Sequence, residues 1–427
     1  PLARWPRIGE LAVPVELFHR VEPSGIAALS HDHLSSAMIL AVLVALLPSL
    51  DATTHHEIVS DVRWNDTDGN SVEAHGGCVL RSPLDGIWYL YGETRKGVSN
   101  RKTPPTVDYL TQGINCYSSA SLAGPWRFEG KILRQQHVVV PGFRGPWIMQ
   151  RPKVLFNPRT RQFVLWFHLD QPKQHYQSHR SSAVRSAYPM KSVGRATADR
   201  AAGPFTFAGS LLPDNHSSLD MSLFADPDEP ARAYLLRDVD HKFIAISRLS
   251  DDFLHTTGVI SKLCEPDPRR AGRRRNRDKC EAPAMFKLHG LHYVITSGQS
   301  GWASNPLTLW RSSGAAVEGA RWTRLGNPAP TLSYTQPAYV VQHASPHGPH
   351  AAPRLMYMGD NWVHCQPPGA LNAITHACYQ WLPITLERGP QAGAMPVRID
   401  ARRSWDVTRA RGAGWKRASA DERQKLL

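Results

Sequence analysis

Two stretches of the chain are near-copies of each other: "LAGPWRFEG" at Leu122–Gly130 and "AAGPFTFAG" at Ala201–Gly209. Each follows a run of strand-forming residues, and each reads as a turn that leads into a further strand. Five segments of the chain share the order of an aromatic-rich strand, a turn and a second strand. Their aromatic strands follow one another at intervals of about 60 to 75 residues. The chain is therefore built from a repeated β unit.

The aromatic strands of the five units are "GIWYLYGE" (86–93), "RQFVLWFHLD" (161–170), "ARAYLLRDVD" (231–240), "LHYVITSGQSGW" (291–302) and "PRLMYMGDNW" (353–362). Repetition of four-stranded units at a fixed period indicates a β-propeller, in which each unit buries its faces against its neighbours. The pattern predicts an all-β, five-bladed β-propeller over residues 62–388. A β-sandwich is the alternative, since it has similar alternation, but it lacks such a repeat.

The composition of the chain agrees with an all-β fold. The 427 residues include 34 prolines and 31 glycines, and 41% are hydrophobic, which favours many turns and short strands over a helical bundle. The formal net charge is +14. Much of this charge lies in two segments, 269–279 and 398–417, which read as a solvated loop and tail. Because no nucleic-acid-binding motif accompanies them, we expect no nucleic-acid partner.

The two ends of the chain lie outside the predicted propeller. Residues 1–37 form an unassigned N-terminal extension. Residues 38–52 contain the apolar run "MILAVLVALLPSLDA", which is short for a membrane span and suits a signal peptide. A signal anchor and a buried helix are the alternatives. Residues 389–427 form a basic tail that is expected to be disordered. We predict a protein of the secretory pathway, secreted or retained in the Golgi.

The six cysteines fit an oxidising compartment, and their spacings match no zinc pattern. Cys264 and Cys280 are placed to close the arginine-rich loop, and Cys365 and Cys378 to close a second insertion. Six unpaired, buried thiols are the alternative.

In a propeller the innermost strand of each blade lines a central channel, so residues at the entrance of those strands meet at one pocket. Polar residues stand there in all five units: "EAHGG" (73–77), "MQRPKV" (149–154), "SLDMSLF" (218–224), "CEAPAMF" (280–286) and "SYTQPAYV" (333–340). Glu281 and Asp220 supply two carboxylates from adjacent blades, which suits glycoside hydrolysis. The apolar surroundings of Glu281 and the neighbouring charge of Asp220 favour a protonated acid. Trp147, Trp302 and Trp362 are candidate platforms for sugar rings.

The ordered motifs "AHGG…WYLYGE", "RPKVLFNPRTRQFVLWFH", "DMSLFADPDEPARAYL", "EAPAMFKLHGLHYVITSGQSGW" and "YTQ…MGDNW…YQWLPI" resemble glycoside hydrolase family 43, and most of all its exo-β-1,3-galactanase branch. The resemblance implies that Glu281 is the general acid and that Asp220 orients it and tunes its pKa. It implies that Gln336 handles the water, because the first blade has "AHGG" where most of the family has an aspartate base. Glu73 is the alternative base.

Six further residues are predicted to bind substrate: Glu93, Gln150, Arg151, His75, Trp302 and Asp360. Gln150 departs from the galactanase branch, which usually carries a glutamate just before "RPKV". We therefore expect an inverting, exo-acting hydrolase of β-1,3-galactan or arabinogalactan side chains. An arabinosidase or xylosidase of the same fold and a non-catalytic carbohydrate-binding propeller are the rivals.

The predicted partner is a polysaccharide or oligosaccharide substrate, and the predicted oligomeric state is a monomer. No redox or nucleotide cofactor is expected. Whether the central channel holds a structural calcium ion is a question that the sequence leaves open.

Overall fold

Twenty-two β-strands and two short 3-10 turns, Gln135–His137 and Pro213–Asn215, make up the regular structure of the described residues. The computed structural model describes residues 56–94, 111–172, 188–266, 279–299, 305–332, 335–343, 354–362, 365, 377–387 and 395–408. The predicted signal segment, Trp302 and most of the arginine-rich loop lie outside these residues. Within them, no helix has the length and apolar character needed to cross a membrane.

Twenty of the strands form five antiparallel sheets, each with its four strands in chain order. Strand β1 (Glu57–Val59) precedes the first sheet. Blade one contains β2 (His75–Arg81), β3 (Trp88–Thr94), β4 (Gly113–Ser119) and β5 (Arg127–Arg134). Blade two contains β6 (Ile148–Asn157), β7 (Gln162–Asp170), β8 (Ser192–Ala198) and β9 (Thr206–Leu211). Blade three contains β10 (Met221–Ala225), β11 (Ala233–Val239), β12 (Phe243–Leu249) and β13 (Thr256–Leu263).

Blade four contains β14 (Glu281–Leu288), β15 (Leu291–Ser297), β16 (Thr308–Ser312) and β17 (Trp322–Gly326). Blade five contains β18 (Gln336–His343), β19 (Arg354–Asn361), β20 (Cys378–Leu386) and β21 (Val397–Ile399). The last strand, β22 (Ser404–Asp406), pairs with β1 outside the blades.

The five sheets close into a ring. The inner strands β2, β6, β10, β14 and β18 contact one another in that order, and β18 contacts β2 again. Five apolar clusters each join two neighbouring blades, so the core is divided among the five interfaces. Trp166 and Trp381 are among the largest fully buried side chains. The predicted all-β, five-bladed propeller is confirmed.

Burial differs between the inner and the outer strands of a blade. Strand β14 is buried at all but one of its positions, whereas the outer strand β17 is half-buried or exposed throughout. Inner strands are covered on both faces by adjacent blades and therefore read as continuous apolar runs. Outer strands keep polar residues facing water. The near-copied turns both enter such an outer strand, β5 and β9, through a cis Gly–Pro bond.

The ends of the described chain close the ring. Strand β1 pairs with β22 in antiparallel register, with Ile58 opposite Trp405, and Val62 bridges to Tyr379 in the fifth blade. Strands β21 and β22 belong to the range 389–427 that the sequence assigns to a tail. Residues 395–408 of that range are therefore an ordered part of the propeller, since β21 supplies the fourth strand of blade five.

Candidate active site

The polar residues at the entrance of the inner strands stand on β-bulges. The ladder between the first two strands of a blade shifts its register after His75, Gln150, Glu281 and Pro337. A bulge bends the strand and changes the direction in which its side chains point. The entrance residues therefore turn toward the channel, although the strands that they begin are core strands.

Left-handed backbone accompanies three of these bulges, at Gly76, Arg151 and Ala282, with φ of 59°, 54° and 52°. Such a conformation is costly for a residue with a side chain and is often found at functional sites. In blade one the "HGG" sequence has a steric reason as well. A Cβ atom on Gly77 would lie 1.8 Å from the carbonyl oxygen of Tyr91.

Glu281 is the buried acid of the site, with 9% of its surface exposed. Its Oε1 accepts a hydrogen bond from Nε2 of Gln336 at 2.9 Å. Burial raises the pKa of Glu281 well above its usual value, and the charge of Asp220 raises it further. Arg151 opposes this increase without cancelling it. The carboxyl group of Glu281 is therefore suited to stay protonated and to donate a proton.

Arg151 joins three blades at the centre of the site. Its Nε and Nη2 donate to the two carboxylate oxygens of Asp220 at 3.0 and 2.9 Å. Nη2 also donates to Oε1 of Gln336 at 2.5 Å, and Nη1 donates to the carbonyl oxygen of Pro337 at 2.8 Å. A fork-shaped guanidinium can make these contacts together, and a lysine cannot.

The amide of Gln336 is fixed in one orientation. Its Oε1 accepts from Arg151 and from the indole Nε1 of Trp362 at 2.8 Å, so its NH₂ group faces Glu281. The structure thus brings the three predicted catalytic residues, Glu281, Asp220 and Gln336, into one network with Arg151.

A second group of ionisable side chains lies next to this network in blades one and five. Nδ1 of His75 is 3.2 Å from Oδ1 of Asp360, and Oδ2 of Asp360 accepts from the backbone of Gly76 at 2.9 Å. Burial lowers the pKa of His75, but the hydrogen bond to Asp360 and the charges of Glu73 and Glu93 outweigh it and raise the pKa. These carboxylates therefore favour the charged form of the imidazole.

Glu73, the alternative base, does not contact Glu281. Its Oε1 is 3.5 Å from Nη2 of Arg63, and its Oε2 is 3.9 Å from Nε2 of His75. Its ion pairs bind it to its own blade. The predicted substrate residue Glu93 is buried and is the cross-strand neighbour of His75.

Lys153 lies below the site and bonds to the backbone of two bulges. Its Nζ donates to the carbonyl oxygen of Gly76 at 2.6 Å and to that of Arg151 at 3.3 Å. Burial lowers the pKa of Lys153 to about 8. Because ammonium and guanidinium groups occupy this end of the channel, these residues do not fit the calcium ion that the sequence leaves open. Among the described residues, no group of three or more His, Cys, Asp or Glu side chains is placed to hold a metal ion.

Two of the predicted sugar platforms do not have that role. Trp147 packs in the core between blades one and two, and its Nε1 donates to the carbonyl oxygen of Val138 at 3.1 Å. The prediction for Trp147 is wrong because a side chain that is 2% exposed cannot stack on a sugar. Trp362 is 3% exposed, and its indole N–H donates a hydrogen bond to Gln336 instead. Trp302 lies outside the described residues.

Gln150 is 5% exposed, and its Nε2 has no hydrogen-bond partner among the described residues. A buried amide group without a partner is costly. The group is therefore available to a ligand that enters the channel.

Sequence reasoning found two residues, Glu93 and Asp360, of a second group of polar residues and missed the other three. The cross-strand neighbours of the entrance residues are Glu93, His168, Ser297 and Asp360, and Asp238 faces Asp220 through backbone hydrogen bonds. All five are buried. Each is a polar residue near the end of the aromatic strand in its repeat. Aligning the five repeats by this strand would have found His168, Asp238 and Ser297.

The two predicted disulfides are confirmed: Cys264 bonds to Cys280, and Cys365 bonds to Cys378. Cys78 and Cys116 are free and buried. The first disulfide fixes the residue directly before Glu281, so it ties the arginine-rich loop to the site.

No family model matches the chain, and no curated protein sequence matches it. Solved structures do. An exo-β-1,3-galactanase from Phanerochaete chrysosporium with bound galactose is 28% identical, with a TM-score of 0.61 over 82% of this chain and 68% of the galactanase. A family 43 β-1,3-galactosidase with galactodeoxynojirimycin is 26% identical, with a TM-score of 0.62 over 82% of this chain and all (100%) of the galactosidase.

An exo-β-1,3-galactanase from Clostridium thermocellum has the same fold, at 23% identity and a TM-score of 0.61, over 82% of this chain and 67% of that protein. The fold and the site are thus those of a β-propeller glycoside hydrolase. The predicted resemblance to family 43 and its exo-β-1,3-galactanase branch is confirmed by these structural neighbours.

Proposed function

We propose that the chain is an inverting, exo-acting glycoside hydrolase of β-1,3-galactan or arabinogalactan side chains. The observation that carries the proposal is Glu281, a buried acid held by Gln336 at the point where the inner strands of the propeller meet. The similar structures are galactanases and galactosidases, and the galactanase from Phanerochaete chrysosporium is seen both with galactose and with β-1,3-galactotriose. Arabinan and xylan as substrates are therefore not favoured.

In this proposal Glu281 protonates the glycosidic oxygen of the leaving sugar. Gln336 holds Oε1, which leaves Oε2 to carry the proton toward the substrate. Arg151 binds both carboxylate oxygens of Asp220 and so holds this residue near Glu281. The charge of Asp220 favours the protonated form of Glu281 until substrate binds.

The water that attacks the sugar must be positioned on the opposite face of the ring. Inverting enzymes place the acid and the water-activating group about 6.5 to 9.5 Å apart. Nε2 of Gln336 is 2.9 Å from Oε1 of Glu281, which leaves no space for a water between the two groups. We propose that Gln336 first orients the acid, and that it positions the water only after substrate has separated the two side chains.

The test is the release of sugars from β-1,3-galactan, arabinan and xylan by the wild type and by Glu281→Gln. We expect galactose from the galactan, and a loss in kcat of about 10² to 10⁴ in the variant. Since the linkage is β, proton NMR of the first product should show the α anomer. Glu229→Gln is the matched control, because Glu229 is an exposed acid that is paired with Arg232 on a turn.

Binding of galactan without release of sugar by the wild type would make the chain a carbohydrate-binding propeller. Release of sugar from arabinan or xylan alone would support a glycoside hydrolase but would contradict galactan as its substrate.

We also propose that the protein is secreted as a monomer. Two disulfides support an oxidising compartment. Mass measurement of the protein recovered from culture medium would test both points, together with the cleavage site in residues 38–52.

A further inference from the structure

Asp238 is a third carboxylate beside the proposed acid. Its backbone N–H donates to the carbonyl oxygen of Asp220 at 2.8 Å, and its carbonyl oxygen accepts from Leu219 at 3.0 Å. Leu219 and Asp220, which directly precede β10, thus both pair with Asp238 of β11, and this is the two-against-one pattern of a bulge. The side chain of Asp238 is fully buried, and Oδ2 lies 3.5 Å from Nε2 of Gln299 in blade four.

Among the described residues, the close ion-pair partner of Asp238 is His241. Nδ1 of His241 is 2.6 Å from Oδ2 of Asp238, and its backbone N–H donates to Oδ1 at 2.8 Å. His241 stands on the turn between β11 and β12, where it and Asp240 both have left-handed backbone, with φ of 58° and 51°. Nζ of Lys191 binds the carboxylate of Asp240 at 2.6 Å, and both side chains are partly exposed.

Burial and the neighbouring charges shift the pKa of both members of this pair. Burial raises the pKa of Asp238 and the charge of Asp220 raises it further, while His241 lowers it. Burial lowers the pKa of His241, but Asp238 and Asp220 outweigh it and raise the pKa, against a smaller opposing effect of Lys191. Asp238 also contributes to the raised pKa of Glu281, after burial, Asp220 and the opposing Arg151.

We propose that Asp238 and His241 form a positioning pair for the proposed acid, in which the imidazole keeps the buried carboxylate ionised and in place beside Asp220. The inference rests on the proposed function of Glu281. The pair sets the local charge that Glu281 faces from blade three. Because the side chain of His241 is 46% exposed, its proton exchanges with water, whereas Asp238 is closed to solvent.

Two substitutions each remove one ionisable group of the pair with little change in the shape of the side chain. Asp238→Asn removes a negative charge near Glu281, so the alkaline limb of the kcat/KM profile should move to lower pH by about one unit. His241→Asn removes the cation that keeps Asp238 ionised, so Asp238 takes up a proton more readily and the same limb should also move to lower pH. Asp240→Asn is the matched control, since Asp240 lies on the same turn but pairs with Lys191.

A second measurement does not depend on activity. Carbon-13 NMR of glutamate carboxyl groups follows the protonation of Glu281 directly, with its signal assigned by its absence in Glu281→Gln. Titration midpoints of Glu281 that move as stated in the two variants, and do not move in Asp240→Asn, support the pair. They do so even if the wild type cleaves no galactan, because that result would refute the proposed function alone.

Unchanged midpoints in both folded variants would overturn the pair. A shift in Asp238→Asn alone would overturn the part assigned to His241. Where Asp238→Asn fails to fold, His241→Asn decides, because its half-exposed side chain can be replaced without opening the core.

Discussion

Replacing Arg151 by methionine should damage both the stability of the protein and the acid. The side chain of Arg151 is 5% exposed and binds Asp220, Gln336 and the carbonyl oxygen of Pro337. Breaking a buried ion pair by removing one partner costs about 3 to 5 kcal/mol. The side chain of Asp220 is 19% exposed and can regain water. We therefore expect a loss of about 3 kcal/mol in the free energy of unfolding.

The same substitution has a signed effect on the pH profile. Arg151 lowers the pKa of Glu281, so its removal raises that pKa further. A general acid works only while it is protonated, and its activity is lost as pH rises through its pKa. The alkaline limb of kcat/KM in Arg151→Met should therefore move to higher pH, while kcat at the optimum falls about a hundredfold because Gln336 and Asp220 lose their anchor.

The assays are chemical denaturation and kcat/KM against pH with β-1,3-galactan. Arg159→Met is the matched control, because Arg159 pairs with Asp251 at 3.3 Å on the surface. Such an exposed pair contributes about 0 to 1 kcal/mol, and the control should keep its pH profile. An alkaline limb of Arg151→Met that moves to lower pH would refute the electrostatic reasoning. An unchanged stability would refute the anchoring role.

Three further outcomes are expected. Burial raises the pKa of Asp226, but its interactions with His292 and Lys287 outweigh it and hold this pKa below its usual range. This link between blades three and four therefore stabilises the fold above about pH 4, and the stabilisation is lost as pH falls. Denaturation at pH 7 and pH 3 should show a smaller acid-induced loss for Asp226→Asn than for the wild type. Gln150→Leu should raise KM for galactan about fivefold, with little change in kcat, if the amide meets a sugar hydroxyl; steady-state kinetics that show an unchanged KM would exclude that contact. Cys264→Ser opens the disulfide beside the proposed acid, and should cost about 3 kcal/mol in unfolding experiments and lower kcat; full activity would show that the loop does not hold the site.

Much of the candidate site was readable from the repeats. Each inner strand is an apolar run with a polar residue at its entrance, so comparing the five units gave Glu281 and Asp220, and the resemblance to family 43 added Gln336. The link from Gln336 to Trp362 was not readable. An indole in a β chain reads equally as a sugar platform or as a core residue, and only its burial distinguishes the two. The same ambiguity led to the wrong role for Trp147.

The sequence by itself determined the number of blades, their order and the polar residue that each presents. It could do so because strand periodicity and turn chemistry are local, and because five copies of a local pattern confirm one another. The disulfides were also predictable, since each closes a short loop.

Only the tertiary structure decided which of these groups meet. The bulges at the strand entrances set the direction of each side chain, and a bulge exists only where a strand is paired with its neighbour in the sheet. The contact of Arg151 with residues of blades three and five depends on closure of the ring. Pairing of β22 with β1 also joins the two ends, and β21 completes blade five; with three residues each, both are too short to be recognised as strands before their partners are in place.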